Sequence, residues 1–152
     1  MIYACFEGMG KRELAMQEDD VVYINIGHYK WENSFDDAGV HPDFPQNFIE
    51  QVRQCNQKGL TVLVDTYNIV LEVLKDANLE YIIYTPTKDL KEEYLNRYRE
   101  LHYDPAYIKY VDSSFDKFVD TLMSDKGANV VIPISESNTY LKDIFAYDHK
   151  QR

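Results

Sequence analysis

Residues 2–12 run Ile2-Tyr3-Ala4-Cys5-Phe6-Glu7-Gly8-Met9-Gly10-Lys11-Arg12, an apolar stretch that breaks into two glycines and ends on two cations. A β-rich run followed by such a turn is how a strand feeds a phosphate-binding loop. In that loop backbone N–H groups and a Lys cradle phosphates, and the next Ser or Thr hydroxyl holds Mg²⁺. Against the pattern G-x-x-x-x-G-K-S/T, Gly10 and Lys11 fit, Cys5 stands at the first Gly and Arg12 replaces the hydroxyl. The loop keeps groups that attract an anion and lacks its usual Mg²⁺ ligand. Binding without phosphoryl transfer is the expectation.

Further apolar runs follow at Val21 to Ile26, Leu60 to Val64, Tyr81 to Tyr84 and Val130 to Ile134. Most are apolar on both faces, as central strands of a covered parallel sheet are. Helical spacing fills the intervals. One stripe is Phe48, Ile49, Val52 and Cys55, stopped at Lys58-Gly59; a second is Ile69, Val70, Val73, Leu74 and Ala77. A third is Leu90, Tyr94, Leu95 and Tyr98. The fourth is Phe115, Phe118, Val119 and Leu122, with Asp112, Ser113 and Ser114 as N-cap candidates. Alternating β and α elements predict a three-layer α/β domain with a parallel sheet of about five strands, in one unit spanning 1–152. The polar, aromatic stretch from Gly27 to Pro45 is expected to be a long functional loop.

Composition limits the partners. The 152 residues suit one domain, and 45% hydrophobic with 14% aromatic content excludes a disordered chain. A net charge of −10 with no basic stripe argues against nucleic acid, which is held mostly through Lys and Arg on phosphates. A small phosphorylated ligand needs only a few converging cations and stays compatible with that charge. No apolar run approaches the roughly 20 residues that span a bilayer, so no membrane partner and a cytoplasmic location are expected. Cys5 and Cys55 make no disulfide framework, and the four histidines show no metal-ligand spacing. A pairing of two copies is compatible with the many tyrosines.

Ligands of open parallel sheets sit beyond the carboxyl ends of the strands. That rule selects Gly8, Gly10, Lys11 and Arg12 after the first strand, the glycines giving close backbone approach and Lys11 an ammonium. The alternative for Lys11 is the exposed end of a tight turn, and Arg12 is either a second anion ligand or a solvated helix residue. After the second strand, His28 and Trp31 either stack on a flat ring or pack over the sheet edge. After the third, Asp65 is a Mg²⁺-shell carboxylate, a base, or the N-cap of the next helix. Tyr67, also at a strand end, is a candidate for an adenine or ribose pocket.

Two longer stretches extend the pattern, Phe44-Pro45-Gln46-Asn47-Phe48-Ile49 and Tyr84-Thr85-Pro86-Thr87-Lys88-Asp89-Leu90-Lys91-Glu92-Glu93-Tyr94-Leu95-Asn96-Arg97-Tyr98. With the Gly-x-Gly-Lys turn they resemble small P-loop nucleotide-kinase-like proteins, many of them bacteriophage-encoded, from end to end. The resemblance implies strand order 2-3-1-4-5, a reduced lid near residues 88–112, and Arg97 as a lid cation against the ligand's phosphate; the alternative for Arg97 is a surface pair with Glu93 or Glu100. It implies departures too. Arg99-Glu100-Leu101-His102-Tyr103 lacks the family's further Arg-Gly turn, and Ile24-Asn25-Ile26-Gly27-His28 lacks the usual acidic and hydroxyl residues. Three weakened positions fit a degenerate kinase relative that holds a nucleotide or nucleotide-derived signal, and the phage resemblance implies a sponge for a messenger of host defence. The rival is an active nucleoside or nucleotide kinase using ATP and Mg²⁺ with Lys11, Asp65 and Arg97 as its catalytic set.

Overall fold

The computed structural model describes residues 1–30 and 39–151, with side chains through Ala146. Five strands, β1 (Ile2–Cys5), β2 (Val21–Tyr23), β3 (Thr61–Val64), β4 (Tyr81–Pro86) and β5 (Val130–Ile134), form one all-parallel sheet in the order β2-β3-β1-β4-β5. The helices are α1 (Lys11–Gln17), α2 (Gly27–Lys30), α3 (Gln46–Gln57), α4 (Asn68–Asp76), α5 (Lys91–Glu100), α6 (Pro105–Met123) and α7 (Leu141–Gln151), with one 3₁₀ turn at Lys88–Leu90. The chain is thus α/β, with the strand order that the resemblance implies.

The central strands are where apolar residues run unbroken. Ile2, Ala4, Cys5, Val62, Leu63, Val64 and Ile83 are wholly buried, as a sheet covered on both faces requires. β5, at one edge, is half exposed along its length. Phe6 continues β1 into an aromatic cluster, its ring meeting Tyr94 of α5 and Phe115 of α6 edge to face at 5.9 and 5.5 Å. This cluster seats α5 and α6 over the carboxyl end of β1. Residues 88–112 are therefore a packed helical corner, with Tyr94, Leu95 and Tyr98 fully buried, and not a detached flap.

Two boundaries differ from expectation. β2 ends at Tyr23, because Ile24 N–H still bonds to Leu63 C=O at 3.0 Å but Asn25 then accepts from the Gly27 N–H at 2.9 Å and turns the chain into α2. Asp112, Ser113 and Ser114 lie inside α6 and cap nothing. The cap is Asp104, whose carboxylate accepts from the Ala106 N–H at 2.8 Å, with Pro105 at the first helical position. Asp112 instead pairs with Lys91 at 2.8 Å.

The amino edge of the sheet is gathered on Asp125. Its carboxylate pairs with Lys75 Nζ at 2.6 Å and accepts from the Tyr81 hydroxyl at 2.8 Å and from the Gly127 and Ala128 N–H groups. A Cβ on Gly127 would lie 2.5 Å from that hydroxyl, so the turn needs glycine. Burial alone would raise the Asp125 pKa; the Lys75, Tyr81 and Ala128 contacts outweigh it and hold the carboxyl below its ordinary 3.8. A carboxyl lowered on folding stabilises above the unfolded pKa and loses that contribution as pH falls through the folded one. Urea unfolding of wild type and Asp125→Asn is therefore expected to differ most near neutrality and to converge towards about pH 3. A gap that stays constant between these pH values would show the carboxylate charge to be irrelevant.

Candidate functional site

The turn joining β1 to α1 lies at the carboxyl edge of the sheet, and its backbone is held from the α5 side. Gly8 and Gly10 adopt φ of 95° and 89°, the left-handed region that glycine enters without strain. Gly8 also passes so close to α5 that a Cβ there would sit 2.9 Å from Tyr98 Cε1. Three consecutive carbonyls face protein donors. The Tyr98 hydroxyl donates to Glu7 C=O at 2.7 Å, Arg97 Nη1 to Gly8 C=O at 2.8 Å, and the Leu141 N–H to Met9 C=O at 2.9 Å. Gly10 caps α1 without a side chain, and the first amides of a helix have no intrahelical acceptor.

Over this turn opens a cleft of about 310 Å³. Gly8, Gly10, Lys11, Arg12 and Arg97 line it, so the structure brings together five of the residues singled out in the sequence. Tyr23, Tyr103, Tyr140 and Lys142 also line it, together with Glu7, Glu13 and Glu100. Glu7 lies within the turn that the sequence marks, whereas Tyr23, Tyr140 and Lys142 were not read from the sequence as site residues.

Lys11 does not reach out as a free ammonium. It is 5% exposed and turns inward, donating to Cys5 C=O at 3.0 Å and lying 3.3 Å from Asp65 Oδ1 and 3.9 Å from Glu7 Oε2. Asp65, 3% exposed, also accepts from the Tyr23 hydroxyl at 2.9 and 3.1 Å. Register explains the meeting: Tyr23 pairs with Leu63, and the carboxylate two residues further on, just past the end of β3, faces the phenol of the neighbouring strand. Burial pushes the Asp65 pKa up, opposed by the Lys11 ammonium and the Tyr23 hydroxyl. The same burial, and then the Asp65 charge, drive the Tyr23 phenol strongly upward. Asp65 caps no helix: Tyr67 occupies the N-cap position of α4, with no side-chain cap. The capping alternative for Asp65 is overturned.

Arg97 is likewise committed. Besides Gly8 C=O it donates through Nη2 to Glu93 at 2.8 Å and to Thr139 C=O at 3.1 Å. Its guanidinium lies 4.3 Å from the Tyr94 ring centre and 3.9 Å from that of Tyr140. Glu93 is fixed in turn by Ser137 Oγ and the Asn138 N–H. The expected lid cation is a buried clamp joining α5, the β1–α1 turn and the segment before α7.

Of the remaining candidates, Arg12 lines the cleft as an exposed residue, and His28 and Tyr67 lie apart from it. Arg12 is exposed, its guanidinium 6.0 Å from the Tyr23 ring centre. His28, exposed on α2, borders a shallow groove with Arg12 and Tyr23 and does not line the cleft. Tyr67, 47% exposed, borders a second hollow of about 290 Å³ with Thr66, Asn68, Tyr107 and Tyr110. Burial is the main force raising its phenol pKa to about 12. Trp31 lies outside the described residues. Cys5, buried and free, has its thiol pushed up to about 12 chiefly by burial, which makes it a poor nucleophile. No group of His, Cys, Asp and Glu among the described residues is arranged to hold a metal ion, and none of their helices is long and apolar enough to cross a membrane.

No family model and no curated protein matches this chain. A crystal structure of an uncharacterized protein from Eubacterium ventriosum ATCC 27560 aligns over 100% of this chain and 99% of its own, at 16% identity and a TM-score of 0.44.

Proposed function

We propose that the protein is a catalytically degenerate relative of P-loop nucleotide kinases that binds a nucleoside-type ligand, a nucleotide or a nucleotide-derived signal, in the cleft over the Gly8–Lys11 turn and does not transfer phosphate. The observation carrying this reading is the closed set Lys11–Asp65–Tyr23. Phosphoryl transfer depends almost wholly on positioned cations and Mg²⁺ around the moving phosphate. Here the Lys that would neutralise it and the carboxylate that would hold metal or serve as base are buried against each other. Arg12, where the metal-binding hydroxyl belongs, adds no Mg²⁺ ligand. The cleft walls stay open, with tyrosine rings that suit a flat base. Holding such a ligand is itself a function, since a protein in excess of a messenger depletes it.

Incubation with ATP, Mg²⁺ and a panel of nucleosides and nucleoside monophosphates is expected to give no phosphorylated product. Thermal unfolding with the same panel is expected to reveal a stabilising ligand, worth about 2.7 kcal/mol at 100 times its dissociation constant. Tyr140→Ala, which removes a cleft wall, should cut that gain. Clear phosphorylation of any panel member would convert the assignment to the active-kinase alternative.

A further inference from the structure

Resting on the binding role proposed above, we infer that the cleft takes a ligand of low charge, a nucleoside with at most one phosphate, and excludes nucleoside di- and triphosphates. In ordinary phosphate-binding loops the polyphosphate is the part gripped most strongly, so the assignment departs from what the Gly-x-Gly-Lys turn suggests.

Charge compensation carries it. Four cations line the cleft: Lys11, Arg12, Arg97 and Lys142. Lys11 is spent on Asp65 at 3.3 Å and on Cys5 C=O, and Arg97 on Glu93 at 2.8 Å and on two backbone carbonyls. Arg12 and Lys142 remain, both exposed. Against them stand three carboxylates in the lining itself, Glu7, Glu13 and Glu100. Glu7 is held in place by the Tyr103 hydroxyl, which donates to Oε1 at 2.6 Å. With Asp65 and Glu93 included, the described residues set five carboxylates against four cations and so bring no net positive charge to the cleft. A triphosphate would bring several further negative charges into it. Like charges brought together in a cleft partly shielded from water repel more strongly than they do in bulk solvent.

Size and surface agree. About 310 Å³ is at the small end of ligand pockets, which run from roughly 300 to 1,000 Å³. Three phenol rings, Tyr23, Tyr103 and Tyr140, stand among the uncharged walls beside Leu14, Gln17 and Leu101. Tyr103 is braced by stacking on Tyr98 at 5.3 Å and 8°, and Tyr140 by the Arg97 guanidinium. Rings so braced offer stacking area with little entropy to lose, and stacking rewards the base over the phosphate tail.

The test is isothermal titration of the full chain with the adenine, guanine, cytosine and uracil ribonucleosides and their mono-, di- and triphosphates. Magnesium is left out and ionic strength is held constant. In any base series that binds, the nucleoside or monophosphate is expected to bind at least about tenfold more tightly than the triphosphate. Glu13→Gln combined with Glu100→Gln, two exposed positions whose replacement should not disturb folding, is expected to narrow that gap at least about threefold. Affinity that climbs with each added phosphate, or a gap untouched by the double variant, overturns the inference. Absence of binding across all series overturns it together with the binding role. Product formation with ATP and Mg²⁺ would overturn only the non-transferring role and leave the charge preference to stand on the titrations.

Discussion

Lys11→Ala is expected to destabilise the protein by about 3 kcal/mol or more, the effect of removing one member of a buried ion pair. The Asp65 carboxylate, 3% exposed, would be left with the Tyr23 hydroxyl as its remaining close partner, and Cys5 C=O would lose its donor. Such a loss is a large share of the roughly 5–15 kcal/mol that holds a domain folded. Without the ammonium that opposes burial, the Asp65 pKa rises further above its ordinary 3.8. A carboxyl raised on folding favours the native state most below its unfolded pKa and progressively less as pH climbs through the folded one. The deficit of Lys11→Ala should therefore widen from about pH 5 to about pH 7.5. Adding Asp65→Asn should recover part of the loss, because the uncompensated charge is gone. Urea midpoints for both single variants and the double, at both pH values, check this. A Lys11→Ala midpoint equal to wild type would mean that the ammonium is solvated in solution and free for a ligand after all.

Arg97→Ala should cost a similar amount, about 3–5 kcal/mol, through a different set of losses. One guanidinium bonds Gly8 C=O, Thr139 C=O and Glu93, and it is flanked by the rings of Tyr94 and Tyr140. Each orphaned buried acceptor costs about 1–3 kcal/mol, and a desolvated cation–π contact about 2 kcal/mol. Not all of this is lost, because Glu93 keeps Ser137 and the Asn138 N–H. For a chain of this size each kcal/mol moves the melting temperature by about 2–4 °C, so a drop of roughly 6–20 °C is expected. Arg97→Lys should recover little, since an ammonium has neither the planar fork nor the stacking face. Full rescue by Lys in a thermal melt would show that charge alone matters there.

Most of the fold could be read from residue order. Val62-Leu63-Val64 and Ile2 to Phe6 are apolar on both faces, and only strands covered on both sides bury such runs. Lys58-Gly59 stops α3 as expected, with Gly59 at φ 83°. The misjudged start of α6 has a plain cause. Asp112 and Ser113 resemble a cap but fall on the solvent side of a helix whose apolar spacing already runs through Val111.

The site was legible as a location and much less as chemistry. The glycines, Lys11, Arg12 and Arg97 do converge on one cleft. What local sequence could not convey is where two of those cations point. That depends on Tyr23 of β2 and Asp65 just past β3 meeting Lys11, and on Tyr140 and Thr139 reaching Arg97 from far along the chain. Residues identified by type alone thus carry the right position and an overestimate of the free charge.

The Arg97 clamp changes how related sequences should be compared. An arginine that ties a helix to a glycine turn and to the approach of the last helix would be kept by selection for folding alone, whatever becomes of turnover. Its persistence alongside a Gly-x-Gly-Lys turn in some other chain would then be no sign of a working phosphotransferase. The residue after the lysine differs in this respect: Arg12 is exposed, so the packing of this fold does not dictate what stands there.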